Sequence, residues 1–451
     1  MFNMDQRWTL HVENFGKIKQ ADIEISPLML FVGDNNSGKS YLMSLLWGLL
    51  TIGSDMFSFK NCNLNSYIRC DTWLVENIGV EVEIKDDKLD MFIDWFNDLL
   101  KINKNKLTSQ IFNYSIDIGK IEIRNYKRRQ PLKIQWEEDA PGLLGLLSIQ
   151  LRDGLNTIKF SYNSRRKYTT EERFEMLAHI CWELFMEEIA ASFSSGRSIE
   201  DPVYLPASRT GFMLSYKSLV RDAISRSFSQ NVNKVQNNSI FTLPVNYFLQ
   251  DISGFEINKR SKYRNIADFI EKNMLNGKIV VDDMPVSNIA FKAEDLKESM
   301  PLYVTSSVVS ELAPLVLLLK SSLKYNLLII EEPEAHLHPK YQVLIAKAMI
   351  RLINAGLPVW ITTHSDIILQ QINNMIKLNK HSSKETLMSK FNYEEKDLLD
   401  EDKVNVYQFS TLSDDKTEIQ KLEKGEYGVV VPTFNEMLAE LLEETKAFQE
   451  D

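Results

Sequence analysis

The segment LMLFVGDNNSGKSYLMSLLWGLL, residues 28–50, passes from an apolar run through a polar loop bracketed by glycines into a second apolar run. The first run reads as a buried strand and the second as a buried helix. Between them, Gly33 to Ser40 satisfies G-x-x-x-x-G-K-[ST]. In a loop of this kind the backbone N–H groups point inward and cradle phosphate oxygens, so Gly33, Asn35, Asn36, Ser37 and Gly38 are the expected cradle. Lys39 is expected to neutralise β/γ-phosphate charge and Ser40 to ligate magnesium. The strand, loop and helix in that order argue against an ordinary glycine turn. The cofactors expected are therefore ATP and Mg2+.

Upstream, WTLHVENF and ADIEISPLMLFV alternate around Gly16 and Lys17, which predicts a hairpin leading into the buried strand. Downstream, NLLII at 326–330 reads as a second buried strand and ends in Glu331-Glu332-Pro333-Glu334. Adjacent carboxylates at the tip of a buried strand need a cation to justify them. Glu331 is accordingly expected in the water shell of magnesium and Glu332 as the group that polarises the attacking water, the competing reading being a solvated acidic loop. VWITT at 359–363 predicts the next strand, and its tip carries His364, which a parallel sheet would bring towards the γ-phosphate. A lone histidine outside such a context is usually structural.

Elsewhere, alternating segments near 109–136 and 156–162 predict antiparallel strands, 171–193 a helix, VYLP a short strand, and GKIVVDD at 277–283 another. A helix is expected from near Ser310, with its start close to the Ser-rich turn because proline at 314 is tolerated only near a helix start. VNVYQF predicts a strand, and FNEMLAELLEETKAF an amphipathic terminal helix.

The 451 residues carry 52 Lys and Arg against 62 Asp and Glu, a net charge of -10, which excludes a uniformly basic nucleic-acid binder. With 44% hydrophobic and 25% charged residues the composition is that of a globular chain, long enough for two or three structural units. Cys62, Cys70 and Cys181 are too few for a disulfide framework, and neither a leader nor a membrane span is read, so a cytoplasmic location is expected. Three basic clusters each carry a tyrosine: Arg124, Lys127, Arg128 and Arg129 with Tyr126; Arg165, Arg166 and Lys167 with Tyr168; Lys259, Arg260, Lys262 and Arg264 with Tyr263. Each reads either as a solvated face or as phosphate contacts with base stacking.

The motif order, with the P-loop at 33, a Ser-rich turn and helix at 305–312, the carboxylate strand at 331 and TTHS at 362, resembles the ABC-class ATPase heads of SMC, Rad50, RecF and OLD-like proteins. The spelling EEPEAHLHP, with ENFG and LPASR, is most similar to the small AAA15/AAA21-type ATPases of anti-phage systems, including the ATPase subunits of Septu-like and PARIS-like modules. The resemblance covers about 1–50 and 200–451.

It implies an α/β fold: a P-loop ABC-type head, with a mixed sheet, flanking helices and an antiparallel β subdomain, carrying a largely helical insert. The expected division is 1–60 for the N-terminal lobe with the P-loop, 61–300 for the insert, and 301–451 for the C-terminal lobe with signature, Walker B, D-loop and H-loop. It further implies a homodimer or higher oligomer in which each P-loop faces a signature in trans, here Ser306 to Ser310, with Ser307 and Ser310 as the contacting residues. Val308 and Val309 stand where the family has glycines. Pro333–Pro339 matches the D-loop region, and the family carries HLHP without a metal, which argues against His336 and His338 as ligands. Phe15 and Ile18 read either as adenine contacts or as core, Arg209 either as a phosphate or subunit contact or as a cap, and Gln130 as a candidate Q-loop glutamine.

Related OLD-like enzymes continue into a Toprim nuclease domain. After residue 366 no such carboxylate constellation is read, and six scattered histidines do not supply an HNH site. A slow ATPase that senses infection, with a phage protein as trigger, and controls a separate Toprim or HNH effector nuclease is the first reading, with nucleic acid binding left open for the insert. A nucleotide-clamped scaffold and a DNA-repair ATPase of RecF or Rad50 type are the alternatives.

Overall fold

β1 (Gln6–Phe15) and β2 (Ile18–Glu24) form the expected hairpin, with Phe15 opposite Ile18 across the Gly16-Lys17 turn. β3 (Leu28–Gly33) follows and is buried along its whole length. The computed structural model describes residues 6–128, 130–138, 157–164, 166–186, 189–190, 201–215, 218, 241–253, 255–258, 260–282, 288–412, 415–425, 428–431 and 442–448. Its further strands are β4 (Val82–Ile84), β5 (Ile118–Arg128), β6 (Leu132–Glu138), β7 (Thr157–Tyr162), β8 (Val203–Leu205), β9 (Gly277–Asp282), β10 (Asn288–Ala293), β11 (Met300–Pro301), β12 (Leu328–Glu331), β13 (Val359–Thr363), β14 (Val404–Thr411) and β15 (Thr417–Lys421). The helices are α1 (Lys39–Ile52), α2 (Asn65–Asn77), α3 (Asp86–Phe112), α4 (Thr170–Met186), α5 (Leu243–Ser253), α6 (Arg264–Ile270), α7 (Ser307–Lys320), α8 (Pro339–Asn354), α9 (Asp366–Lys380) and α10 (Lys384–Phe391).

Among the described residues one mixed sheet runs in the order β5-β1-β2-β15-β14-β3-β13-β12-β8. Its β14-β3-β13-β12-β8 half is parallel throughout. The period-two alternation of each central strand splits the interior into two layers. Met29, Phe31, Leu327, Ile329, Trp360, Tyr407 and Phe409 face the layer built with α1 to α4, whereas Leu28, Leu30, Val32, Leu328, Ile330, Val359, Ile361, Val404 and Val406 face that of α7, α8 and α9. Burial on both faces is why these strands read as continuous apolar runs. The α/β class, with a mixed sheet and flanking helices, is the fold the sequence led us to expect.

Four expectations are adjusted. β7 pairs with β6 in parallel, not antiparallel; the eighteen positions between Glu138 and Thr157 are enough for a parallel return. Positions 109–112 close α3 rather than open a strand. Residues 61–300 are not set apart from the head, because β5 pairs with β1, bringing Ile121 opposite Val12, and β8 pairs with β12. The helix expected near Ser310 starts at Ser307, so Pro314 is its eighth residue and leaves the Ser310 carbonyl without its usual helical donor. Most of the terminal amphipathic helix lies outside the described residues.

Candidate active site

Because β3, β13 and β12 are adjacent and parallel, with Val32 level with Thr363 and Glu331 level with Thr362, their C-terminal tips share one edge of the sheet. Gly33, His364 and Glu332 step off that edge together. The loop after β3 needs left-handed backbone at Gly33 (φ 123°), Asn36 (φ 59°) and Gly38 (φ 92°). At Gly33 a Cβ would lie 2.1 Å from the Phe409 carbonyl oxygen, so β14 leaves room there for glycine alone. At Gly38 a Cβ would meet Ile18 Cγ1 at 3.1 Å. Ile18 therefore supports the loop from beneath, and it and Phe15 are core residues, not adenine contacts, each only 1% exposed.

Lys39 is buried and folded onto the loop, donating to the carbonyls of Gly33 at 3.0 Å and Asp34 at 2.5 Å. Burial pulls its ammonium down to about 8, against the pull of Glu332, Asp34, Glu334 and Glu331. Ser37 Oγ closes the loop by donating to the Asp34 carbonyl at 2.7 Å, and the Thr411 N–H donates to the Asp34 carboxylate at 3.1 Å. Asn35, Asn36 and Ser40 are exposed beside the buried lysine.

Glu331 is buried; one carboxylate oxygen accepts from the Ala207 N–H at 3.0 Å, while the other, also buried, has no hydrogen-bond partner. Glu332 is half-exposed and takes φ 44°, a conformation that costs a non-glycine residue about 1–3 kcal/mol. Its N–H donates to the Thr362 carbonyl at 2.8 Å, and its carboxylate lies 3.9 Å from His364 Nε2. Burial first, and Lys39 second, hold the His364 imidazole below its ordinary range, which favours the neutral ring. The third glutamate, Glu334, has no role in the sequence reading. One of its oxygens accepts from Thr363 Oγ1 at 2.8 Å and from the His364 N–H at 2.6 Å, while the other is buried without a hydrogen-bond partner. Burial pushes its carboxyl upward. The run Glu-Glu-Pro-Glu carried the signal for it, but only the fold places it beneath the histidine.

Arg209 reaches neither solvent nor an open phosphate site: it is 2% exposed, and its guanidinium donates to the carbonyls of Pro206 at 3.2 Å, Glu331 at 2.5 Å and Glu332 at 3.0 Å. It also pairs with the buried Glu311 of α7. At the candidate signature, Ser306 and Ser307 are exposed at the start of α7. Ser310 is not available in trans: it is buried, and its hydroxyl donates to the Leu302 carbonyl at 3.3 Å. Val309 likewise turns into the core.

Gln130 sits beyond Arg128, which pairs with Gln6 at the edge of the sheet opposite the P-loop, so it is misplaced for a Q-loop role. His336 and His338 are exposed, and His338 caps α8 by accepting from the Lys340 N–H at 3.3 Å. The tyrosines of the basic clusters are engaged internally. Tyr126 donates to the Leu184 carbonyl at 2.6 Å, Tyr168 accepts from the Asn163 N–H at 3.1 Å, and Tyr263 is buried against Tyr325. Arg129, Arg165 and Lys259 lie outside the described residues. No described helix is long and apolar enough to cross a membrane.

The sequence model of the AAA_15 family, an AAA ATPase domain, matches residues 9–369. The chain belongs to this family. It is therefore an ATPase, and ATP is its nucleotide. Among solved structures, the Smc head bound to the C-winged helix domain of ScpA is 13% identical, with 92% of this AAA_15 chain and 97% of that chain covered and a TM-score of 0.37. The Smc head domain with an extended coiled coil bound to the C-terminal domain of ScpA, from Pyrococcus furiosus, is 13% identical over 99% and 100%, with a TM-score of 0.36. The SMC head domain from Thermotoga maritima is 11% identical over 93% and 100%, with a TM-score of 0.34. The comparison with curated proteins returned no match.

Proposed function

We propose that this AAA_15 chain hydrolyses ATP at the β3-β13-β12 edge and uses the nucleotide-bound state to control a separate effector in defence against phage. The observation that carries the catalytic part is the convergence of Lys39, Glu331, Glu332 and His364 on one sheet edge. ATP would draw Lys39 off the Gly33 and Asp34 carbonyls onto its phosphates. Glu332 then takes a proton from the attacking water as that water bonds to the γ-phosphorus, and the bond from the γ-phosphorus to the bridging oxygen breaks to release ADP. Neutral His364, held by Glu334 through its backbone N–H, orients the reacting groups without adding charge.

Two buried acceptors without partners, one on Glu331 and one on Glu334, fit a site that a cation completes. Among the described residues no three His, Cys, Asp or Glu side chains converge as a ligand cage, which accords with an ion held largely by phosphates and water. Ser40 and Glu331 would hold Mg2+, which when bound supplies neutralisation of phosphate charge.

Head-to-tail pairing, with Ser307 of each copy against the triphosphate of the other, would make closure depend on ATP; a homodimer is the minimal assembly. The resemblance through ENFG, LPASR, EEPEAHLHP and TTHS supports a phage protein as trigger and a Toprim or HNH nuclease as effector. The test is to purify the chain alone and with the product of its neighbouring gene, then assay cleavage of plasmid, phage DNA and tRNA with Mg2+ and ATP. Cleavage is expected only in the pair. Cleavage by the lone chain that survives mutation of Lys39 and Glu332 would overturn this division of labour. A deletion strain sensitive to DNA damage but normal in phage resistance would move the role to repair.

A further inference from the structure

The exposed start of α7 and the Glu331-Glu332 tip are linked through buried polar contacts. Glu311, four residues after Ser307, is 1% exposed; one carboxylate oxygen accepts from the Thr210 hydroxyl, and the other lies in ion-pair contact with the Arg209 guanidinium without a hydrogen bond of its own. The same guanidinium donates to the carbonyls of both Glu331 and Glu332. Glu332 is held in left-handed backbone between that contact and its own N–H bond to Thr362, so its carboxylate direction depends on where Arg209 sits. Two buried opposite charges do not separate cheaply, because either one left alone has no solvent to replace its partner. An axial shift of α7 would therefore pull on Arg209 through Glu311 and, through Arg209, on the backbone of Glu332.

We propose that Arg209, Glu311 and Thr210 form a relay of positioning residues that transmits engagement of the Ser306-Ser307 helix start, by the triphosphate held on a second copy, to the carboxylate of Glu332. The relay rests on the reading of Glu332 as the group that polarises water. It explains why a buried arginine opens the helical segment that follows β8, where the sequence alone left a phosphate or subunit contact and a cap open.

The test uses the full chain with Arg209→Lys, Glu311→Gln, the double variant and Thr210→Val, alongside Glu332→Gln. ATP affinity is read by calorimetry, kcat and KM by phosphate release, and folding by thermal melts. Relay variants are expected to bind ATP within about twofold of wild type and to keep KM, while kcat falls on the order of 10–100-fold, the scale of a small misplacement of a reacting group. The double variant is expected to cost no more than the worse single one, as members of one network do. Thr210→Val keeps shape and charge, so it carries the test if Arg209→Lys fails to fold. A purely packing role would lower the melting temperature and leave kcat per folded molecule alone. Near-wild-type kcat in folded Glu311→Gln and Thr210→Val, or additive losses in the double variant, would overturn the relay while leaving Glu332 in place. Unchanged turnover in Glu332→Gln would instead overturn the reading of Glu332, and the relay with it.

Discussion

Lys39 is held in its charged form against burial, and this sets a pH dependence. Free in water a lysine titrates near 10.5; here burial brings it to about 8, and phosphate bound beside it favours the protonated form. Below about 8 the ammonium is already charged when ATP arrives, so affinity is flat. Above that, binding must take up a proton, and the dissociation constant should rise up to about tenfold per pH unit. Calorimetry at pH 7.5 and 9 in two buffers checks both the loss and the proton uptake; Lys39→Arg should remove the dependence, and Lys39→Ala should abolish binding outright. Glu332→Gln should keep ATP bound and lower turnover by at least about 100-fold, the effect of losing a general base. If phosphate release stays near wild type, the role passes to His364. The positions of Lys39 in the loop and Glu332 at the strand tip were legible because motif and strand end are local. Glu334 and Arg209 were not, since their partners come from β13 and α7.

At the scale of elements, the constraint at Gly33 is a contact between strands. Its φ and the approach of the Phe409 carbonyl forbid a side chain, so Gly33→Ala should destabilise the folded protein by about 2–4 kcal/mol, combining backbone strain with overpacking. A denaturant melt of the nucleotide-free protein checks this, and an unchanged midpoint would mean that β14 can give way. The helices and central strands were read well where their apolar runs were long. The last turn of α3 was misread because SQIFNYSID alternates over too few residues to separate the two periods. The parallel β6–β7 pairing was misread because alternation reports which face is buried and says nothing about strand direction.

For the whole molecule, the exposed surface around the start of α7 carries two large apolar residues, Tyr303 at 75% and Val304 at 57% exposure, beside Ser306 and Ser307. If ATP closes two heads across this surface, Glu332→Gln with ATP should sediment as a dimer and without ATP as a monomer. Adding Tyr303→Asp or Ser307→Arg should leave it monomeric with ATP affinity intact. Analytical ultracentrifugation distinguishes these outcomes, and a Glu332→Gln protein that stays monomeric with saturating ATP would defeat the sandwich.

What the sequence determined by itself was the placement that depends on neighbours along the chain: the loop from Gly33 to Ser40, the carboxylates that end β12, the histidine that follows β13, and the α/β alternation that puts all three on strand tips. Short-range sterics and burial period decide such features, and both are written in consecutive residues. What only the tertiary structure decided was which groups meet across the chain. Ser310 turns inward because α7 packs one face onto the sheet, Ile18 lies beneath Gly38 because the β1–β2 turn brings the start of β2 to that edge, and Arg209 bridges α7 to Glu332 because β8 pairs with β12. Each of these depends on strand order and direction, and a strand's own residues carry no record of its neighbour.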